Sequence, residues 1–448
     1  MCAPEDLSLD AASLQVYGYD NSRRSVPAQA VVFARSATQV AALVNLCRQF
    51  RVPLVARGRG TNTTGATVPV QGGVVLAFER MNRIIEVNPD DRLAVVEPGV
   101  LNGTLQTALR PFGLMWAPDP TSAPFASIGG NLACNAGGPR AVKYGSCRDN
   151  VLAVQAVDGR GRVLRLGTRT TKGSTGYDLM RVLIGSEGTL ALITEATLKL
   201  VPLPAGRALL RAVYDDVESA AKAVARLMCA PLVPAALEFM DAQAIRLARD
   251  VGGAELEDAG ALLMIEVDGE GEALAGAVAT LGALARGPGL KSLDEARSPE
   301  QIEALWRARR ALSPALRTLA PKKINEDVVV PVSRLPELVR QAEAWALESG
   351  FPIVCFGHAG NGNLHVNLLI DPDQPEQAAR AAVVLDALFR KVIALGGTLS
   401  GEHGIGLDKR DFLPLAFDAD TLAVMYEMKD WLDPSGILNP AKVLPLRS

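Results

Sequence analysis

A chain of 448 residues is too long for one hydrophobic core and calls for two or three domains. Its 48% hydrophobic and 21% charged residues are globular proportions, and a net charge of −3 gives no field to attract nucleic acid or an anionic membrane. No 18 apolar residues run together as a spanning helix needs, and six scattered cysteines (Cys2, Cys47, Cys134, Cys147, Cys229, Cys355) contain no CxxC pair. With an acidic start, Met1-Cys2-Ala3-Pro4-Glu5-Asp6, unlike a secretion signal, the expected setting is a reducing cytoplasm.

Residues 27–200 alternate short strands and helices. Ser36 and Gln39 form a capping box ahead of Val40, Leu43, Val44 and Cys47, whose spacing predicts a helix. Apolar runs bounded by Gly, Pro, Asn or Asp predict strands at 52–56, 74–78 and 93–97, followed by others at 151–157, 163–166 and 190–200. Pro202, Pro204 and Gly206 mark a boundary, giving a first domain of residues 1–204. Beyond it, 217–228 and 299–319 read as helices, 262–267 and 328–331 as strands. The fold class is therefore α+β, with a second domain at 205–428 built as an antiparallel sheet covered by helices on one face. A turn-rich stretch, Leu432-Asp433-Pro434-Ser435-Gly436-Ile437-Leu438-Asn439-Pro440, stops the last helix; residues 429–448 are expected to return to the first domain.

Three glycine-rich runs carry the first chemistry. Arg57-Gly58-Arg59-Gly60-Thr61-Asn62-Thr63-Thr64-Gly65-Ala66-Thr67 follows a strand, and its glycines allow successive N–H groups to turn toward a pyrophosphate. Gly60 and Gly65 are spaced as in a Walker A loop, but Ala66 stands where its lysine belongs. A Rossmann fingerprint would open a helix, which Pro69 and Gly72-Gly73 forbid. For this segment alone, a plain surface loop is the alternative. Pro118-Asp119-Pro120-Thr121-Ser122 leads to Ser127-Ile128-Gly129-Gly130-Asn131-Leu132-Ala133-Cys134-Asn135-Ala136-Gly137-Gly138 and Lys143-Tyr144-Gly145. Gly185-Ser186-Glu187-Gly188-Thr189-Leu190 precedes a strand containing Ile193.

In this order the runs resemble the FAD domain of the vanillyl-alcohol-oxidase-type flavoproteins, over residues 27–201. The resemblance implies that Arg57, Gly58, Arg59, Gly60, Thr61, Asn62 and Thr63 hold the pyrophosphate of FAD. It also implies that Pro118, Asp119, Thr121, Ser122, Gly129, Gly130, Asn131, Ala133, Asn135, Ala136, Gly137, Tyr144, Gly145, Glu187, Gly188, Ile193 and, from the tail, Asn439 line the rest. Some relatives attach FAD through histidine or cysteine. Residues 1–357 contain no histidine, and neither 57–67 nor 118–122 contains cysteine, so non-covalent FAD is expected.

All three histidines fall in the C-terminal glycine-rich stretches. Gly357-His358-Ala359-Gly360-Asn361-Gly362-Asn363-Leu364-His365-Val366-Asn367 reads as strand, turn, strand, so an antiparallel return brings His358 near His365 and puts His365 and Asn367 on one face. Ser400-Gly401-Glu402-His403-Gly404 follows. Two imidazoles and a carboxylate suit catalytic zinc, and iron(II) equally, so ligand type leaves the metal open. A lone histidine beside glycine is usually a turn or core residue; the clustering of all three argues for a site.

These stretches resemble the group of D-lactate dehydrogenase, the glycolate oxidase flavin subunit and D-2-hydroxyglutarate dehydrogenase, over most of 205–445. The resemblance implies a divalent metal, Zn²⁺ in the first instance, on His358, His365 and Glu402, with His403 as base. It implies Asn367 and Arg309 as substrate contacts, and Lys323, with Lys322 as the alternative. The expected reaction is oxidation of a small D-2-hydroxy acid, D-lactate or glycolate in type, by hydride transfer to flavin N5, with D-2-hydroxyglutarate as runner-up substrate. An electron-accepting protein or quinone and a homodimer complete the expected partners. A metal-dependent hydrolase and a non-catalytic flavin subunit are the remoter readings.

Overall fold

The computed structural model describes residues 3–251 and 256–447; Cys2 of the cysteine set lies outside them. The chain divides into two compact units. One comprises residues 1–138, 145–203 and 402–448, the other residues 139–144 and 204–401.

The first unit holds two sheets. In one, β1 (Leu7–Ser8), β2 (Ala30–Phe33), β3 (Leu54–Arg57) and β4 (Val74–Ala77) lie in the order β1-β2-β4-β3. Strands β2 and β3 flank β4 in parallel, so a crossover must join them. Helix α1 (Ala37–Phe50) provides it, with Ser36 Oγ accepting the Gln39 N–H and Val40, Val44 and Cys47 buried along the expected stripe. The other sheet comprises β5 (Ile84–Asn88), β6 (Leu93–Val96), β8 (Val151–Asp158), β9 (Val163–Gly167) and β10 (Ala191–Lys199), in the antiparallel order β5-β6-β10-β8-β9. A short ladder pairs β7 (Leu114–Met115) with β11 (Val201–Pro202). Every strand expected here is found, its ends shifted by a residue or two.

The tail closes the β3 edge: Leu54 N–H donates to Ile437 O, and Asn439 N–H to Leu54 O. Asp433, buried, fixes that turn. Its carboxylate accepts the N–H groups of Ile437 and Leu438 and a bond from Lys429 Nζ.

The second unit is built on a seven-stranded antiparallel sheet. Its strands are β12 (Gly206–Tyr214), β13 (Ala236–Asp241), β14 (Ala261–Gly269), β15 (Leu290–Ala296), β16 (Lys322–Val329), β17 (Ile353–His358) and β18 (Asn363–Ile370), in the order β15-β12-β14-β13-β17-β18-β16. Around it lie α2 (Val217–Met228), α3 (Ala242–Asp250), α4 (Gly271–Ala285), α5 (Pro299–Ala315), α6 (Leu335–Ser349) and α7 (Pro375–Ala394). On one face α3 and α5 bury Ile245, Leu247 and Leu312 against Met264, Val354 and Phe356. On the other, α4 brings Gly282 against Leu210. Helices thus cover both faces, one layer more than expected. The strand expected at 328–331 is displaced toward the N-terminus, because β16 consists largely of polar residues, which carry no apolar signal.

Candidate functional site

The first unit gathers the three glycine-rich runs. The segment 58–63 forms no helix, and none of its N–H groups donates to another main-chain group among the described residues. Gly58 lies so close to Ser127 that a Cβ would fall 2.3 Å from its Oγ, and Gly60 has φ +66°. Thr63 Oγ1 is buried and makes no hydrogen bond among the described residues. A loop of unengaged N–H groups with an orphaned hydroxyl fits a phosphate-bearing ligand.

Side chains of this unit hold the runs in place. Arg57, buried, donates to Tyr19 O and Thr67 Oγ1, and burial lowers its pKa. The Arg59 side chain pairs with Glu79 at 2.9 Å. Asn62 Oδ1 accepts the N–H groups of Thr64 and Ala66. In the second run, Ser127 caps the helix Ile128–Cys134 through the Gly130 N–H, and Asn131 Oδ1 accepts from Asn102. Asn135, in the left-handed region at φ +51°, accepts the Arg148 N–H. Gly138, at φ +117°, would place a Cβ 2.6 Å from the Asp119 carbonyl, and the Asp119 N–H donates to Gly137 O, tying 118–122 to this run. The third run joins the second through Gly185 N–H to Leu132 O and Glu187 N–H to Ala133 O. Asn439 then bridges the first and third, donating to Ala66 O and Glu187 O.

The same unit seats the Glu402-His403 segment. Asn62 Nδ2 donates to His403 O at 3.0 Å, and the Glu187 carboxylate accepts the N–H groups of Ile405 and Gly406. Glu187 is a non-glycine residue at φ +52°, and burial pushes its carboxyl up to about 7. Lys442 opposes that shift and donates to Asn439 Oδ1.

The second unit puts side chains on one sheet face. The register opposes Asp327 to His365 and Asn325 to Asn367 across β16 and β18, Phe356 to His365 across β17 and β18, and Glu238 to His358 across β13 and β17. Pleating therefore aligns these residues in a row. The His358 and His365 rings meet edge-on, their centroids 5.3 Å apart. His358 Nδ1 lies 2.6 Å from Glu238 Oε1, and Arg309, reaching down from α5, pairs with Glu238 Oε2 at 2.8 Å. The Arg309 guanidinium lies 4.6 Å from the centroid of the Phe356 ring, and its buried Nε–H makes no hydrogen bond among the described residues. Asn367 is fully buried: Nδ2 donates to Val354 O and His365 O, while Oδ1 makes no hydrogen bond among the described residues. Lys323 Nζ donates to Ser313 Oγ at 2.9 Å, four residues past Arg309 on the same helix. Two buried imidazoles beside carboxylates are a donor set that suits a divalent metal.

Three residues on this face were not singled out from sequence. Glu238 sits in an apolar strand, where a glutamate at an inward position was the available signal. Asp327 lies 3.8 Å from His365 Nδ1 and accepts from Ser400 Oγ and the Gly401 N–H. It thereby ties the end of this unit, one residue before Glu402 in the chain, to the strand beside His365. Glu266, also buried, takes Trp306 Nε1 at 2.6 Å and Arg140 at 3.3 Å. Tyr144 stands in this unit as well, with its hydroxyl on Asp268 and its pKa raised by burial and by that carboxylate.

Comparison with known proteins adds the lineage. Residues 28–167 match the family "FAD binding domain" and residues 203–443 match "FAD linked oxidases, C-terminal domain". The chain is 37% identical to the glycolate oxidase subunit GlcD of Bacillus subtilis, covering 98% of this chain and 94% of that one. It is 35% identical to the D-lactate dehydrogenase of Anaerostipes hadrus (93% and 89% covered) and 34% to the D-2-hydroxyglutarate dehydrogenase of Stutzerimonas stutzeri (98% and 96%). Among solved structures, p-cresol methylhydroxylase superposes with a TM-score of 0.80 at 17% identity, over 99% of this chain and 95% of that one. The 4-ethylphenol oxidase of Gulosibacter chungangensis gives 0.78 at 19%, over 98% and 95%. These likenesses show the expected vanillyl-alcohol-oxidase-type fold. With its C-terminal family match spanning residues 203–443 and a relative 37% identical over nearly all its length, the chain belongs to the FAD linked oxidases and is an FAD-binding oxidoreductase.

Proposed function

We propose that this protein oxidises a small D-2-hydroxy acid, D-lactate or glycolate in type, to the 2-oxo acid. The observation that carries the reading is Arg309, a buried guanidinium with an Nε–H that meets no acceptor among the described residues, held through one carboxylate beside His358. A carboxylate substrate answers that donor. The relatives support the choice, since all three carry a small 2-hydroxy acid in their names.

FAD would be held by the glycine-rich runs at 57–63, 118–138 and 185–193 and would supply the hydride acceptor. His358, His365 and Glu402 would hold a divalent metal, zinc in preference, which would supply Lewis acidity toward the substrate hydroxyl. The protein's own groups do the rest. Arg309 binds the substrate carboxylate and so fixes which hydrogen is presented for transfer. Asn367 and Lys323 orient the remaining polar atoms. His403 takes the hydroxyl proton, a role worth roughly 10²–10⁴-fold for a positioned base. FAD is held without a covalent bond. The thiol of Cys134, in the second glycine-rich run, supports this: burial pushes it up to about 12, so it is a poor nucleophile near neutral pH. Electrons pass onward to a protein or quinone.

The test is a panel of D-2-hydroxy acids, glycolate included, mixed anaerobically with the purified holoenzyme while flavin absorbance is followed. D-Lactate or glycolate should bleach the flavin faster than D-2-hydroxyglutarate. Faster bleaching by the dicarboxylate moves the substrate to the runner-up, and no bleaching by any 2-hydroxy acid overturns the reading.

A further inference from the structure

One buried carboxylate serves two of the assigned groups. Glu238, 1% exposed, stands on β13 opposite His358 on β17. Its Oε1 lies 2.6 Å from His358 Nδ1, and its Oε2 lies 2.8 Å from the Arg309 guanidinium. We propose that Glu238 is a positioning residue that couples the metal-binding histidine to the arginine that anchors the substrate carboxylate. This inference rests on the proposed function.

The argument is one of donors and acceptors. An ionised carboxylate only accepts hydrogen bonds. Bonded to Glu238, His358 therefore carries its proton on Nδ1, which leaves the Nε2 lone pair available to a metal. The opposite oxygen faces the Arg309 guanidinium as an ion pair, so its negative charge is what holds that cation in place. Phe356, on the same face, carries that guanidinium over its ring. Loss of the hydrogen bond frees the ring and loss of the ion pair frees the guanidinium, and removing the carboxylate loosens both. Trp306 sets the arm that delivers Arg309. It lies three residues earlier on α5 and is fixed by its own bond to Glu266 on the neighbouring strand β14. Helix α5 is thus pinned at two adjacent strands, and Glu238 is the anchor that also touches a histidine.

Glu238→Gln separates the two duties. Its amide has one accepting and one donating end, so it satisfies either the imidazole N–H or the guanidinium, but not both. Facing oxygen to His358, it opposes its NH₂ to Arg309 and weakens carboxylate binding. Facing oxygen to Arg309, it forces the other imidazole tautomer and weakens metal binding. Metal affinity is measured by zinc chloride titration against a chelator. Carboxylate binding is read from KM and from flavin spectral shifts with the 2-oxo acid. Glu238→Gln should lose about 10–100-fold in one of these, the usual scale for partners of metal ligands, while FAD content and melting temperature stay near wild type. Glu238→Asp, which keeps the charge on a shorter arm, should fall between wild type and Gln. Zinc affinity and KM both unchanged in Glu238→Gln overturn the proposal, as does a loss of FAD and melting temperature in both variants in proportion to activity. A wild type that binds zinc and oxidises a 2-hydroxy acid while Glu238→Gln behaves identically defeats this inference alone. A wild type that binds no divalent metal defeats the functional reading with it.

Discussion

In the first unit Arg57, Asn62, Glu187 and Asn439 direct their side chains to main-chain groups of that unit, while the N–H groups of residues 58–63 donate to no other main-chain group among the described residues. In the second unit the main chain is taken up by a seven-stranded ladder, and the polar atoms of the candidate site belong to side chains alternating along β13, β16, β17 and β18, with Arg309 reaching them from α5. The same two resources, backbone and side chain, exchange jobs. A backbone cradle suits a large cofactor that is gripped along its length and depends on dihedral freedom. A side-chain row suits a small substrate and an ion, because strands hold each group at fixed spacing. The two units should therefore fail differently when altered.

The largest expected effects come from single side chains of chemical function. His365→Asn should lose metal, measured by elemental analysis, and activity with it. His403→Asn should keep metal and FAD yet slow flavin reduction by roughly two to four decades, the worth of a positioned base. Stopped-flow absorbance separates the two. Near-normal flavin reduction in His403→Asn would assign the base to another group, and loss of metal there would make His403 a ligand.

Backbone changes come next, and they should separate the units most clearly. Gly362, at φ +71° in the turn between the two histidine strands, would place a Cβ 1.9 Å from the Val330 carbonyl oxygen, which cannot rotate away. Gly362→Ala should cost roughly 2–6 kcal/mol, combining a strained dihedral with an overpacked contact. Gly60, at φ +66°, would meet the end of the Arg57 side chain at 2.3 Å. Because a side chain gives more readily than a carbonyl, Gly60→Ala should cost less stability and show itself in the flavin-to-protein absorbance ratio. Denaturant unfolding with that ratio checks both. A Gly362→Ala protein as stable as wild type, or a Gly60→Ala protein with full flavin, would erase the distinction.

What the sequence reveals follows the same division. Glycine runs are visible because a loop needs glycine where φ is positive, as at Gly60, Gly65, Gly138 and Gly188. His358, His365 and Glu402 stand out because chemistry restricts residue type. The alternation of His365 and Asn367 also gave the correct face, since pleating is local. Glu238 and Asp327 were not legible. Their importance comes from partners 120 and 38 positions away (358 − 238 and 365 − 327), fixed by strand order rather than by any local pattern. Glu187 was read as a cofactor contact from its motif, while the folded chain engages its carboxylate with Ile405 and Gly406, more than 200 residues on. The helices at 37–50, 217–228 and 299–315 were legible from caps and stripes, those at 242–250, 271–285, 335–349 and 375–394 were not singled out, and β16 was legible only at its apolar end, because its inward side bears Lys323, Asn325 and Asp327.

The smallest expected effect is also the finest comparison. Each unit holds a buried carboxylate whose pKa is raised although it accepts backbone N–H groups: Glu187 from Ile405 and Gly406, Asp241 from Ala244 and Cys355. Burial pushes both up to about 7, from ordinary values of 4.5 and 3.8. A raised carboxyl pKa means the folded state binds the proton more tightly than the unfolded state. Its stabilising contribution is therefore complete below the unfolded pKa and disappears as pH rises through about 7. At about 1.4 kcal/mol per pKa unit, the swing is at most on the order of 3 kcal/mol for Glu187. Glu187→Gln removes the titration but keeps an acceptor, and Oε1 alone already reaches both N–H groups. This variant should match wild type near pH 4.5 and exceed it at pH 8. Asp241 uses a separate oxygen for each N–H, so Asp241→Asn must oppose an NH₂ to one of them. It should show the same relative gain with pH, offset by a constant loss of about 1–3 kcal/mol for the unmet donor. Denaturant unfolding of both holoproteins between pH 4.5 and 8 reads the difference from wild type at each pH. A flat difference for Glu187→Gln would show that this carboxylate is already ionised throughout, held by Lys442 and the two N–H groups more strongly than burial opposes it.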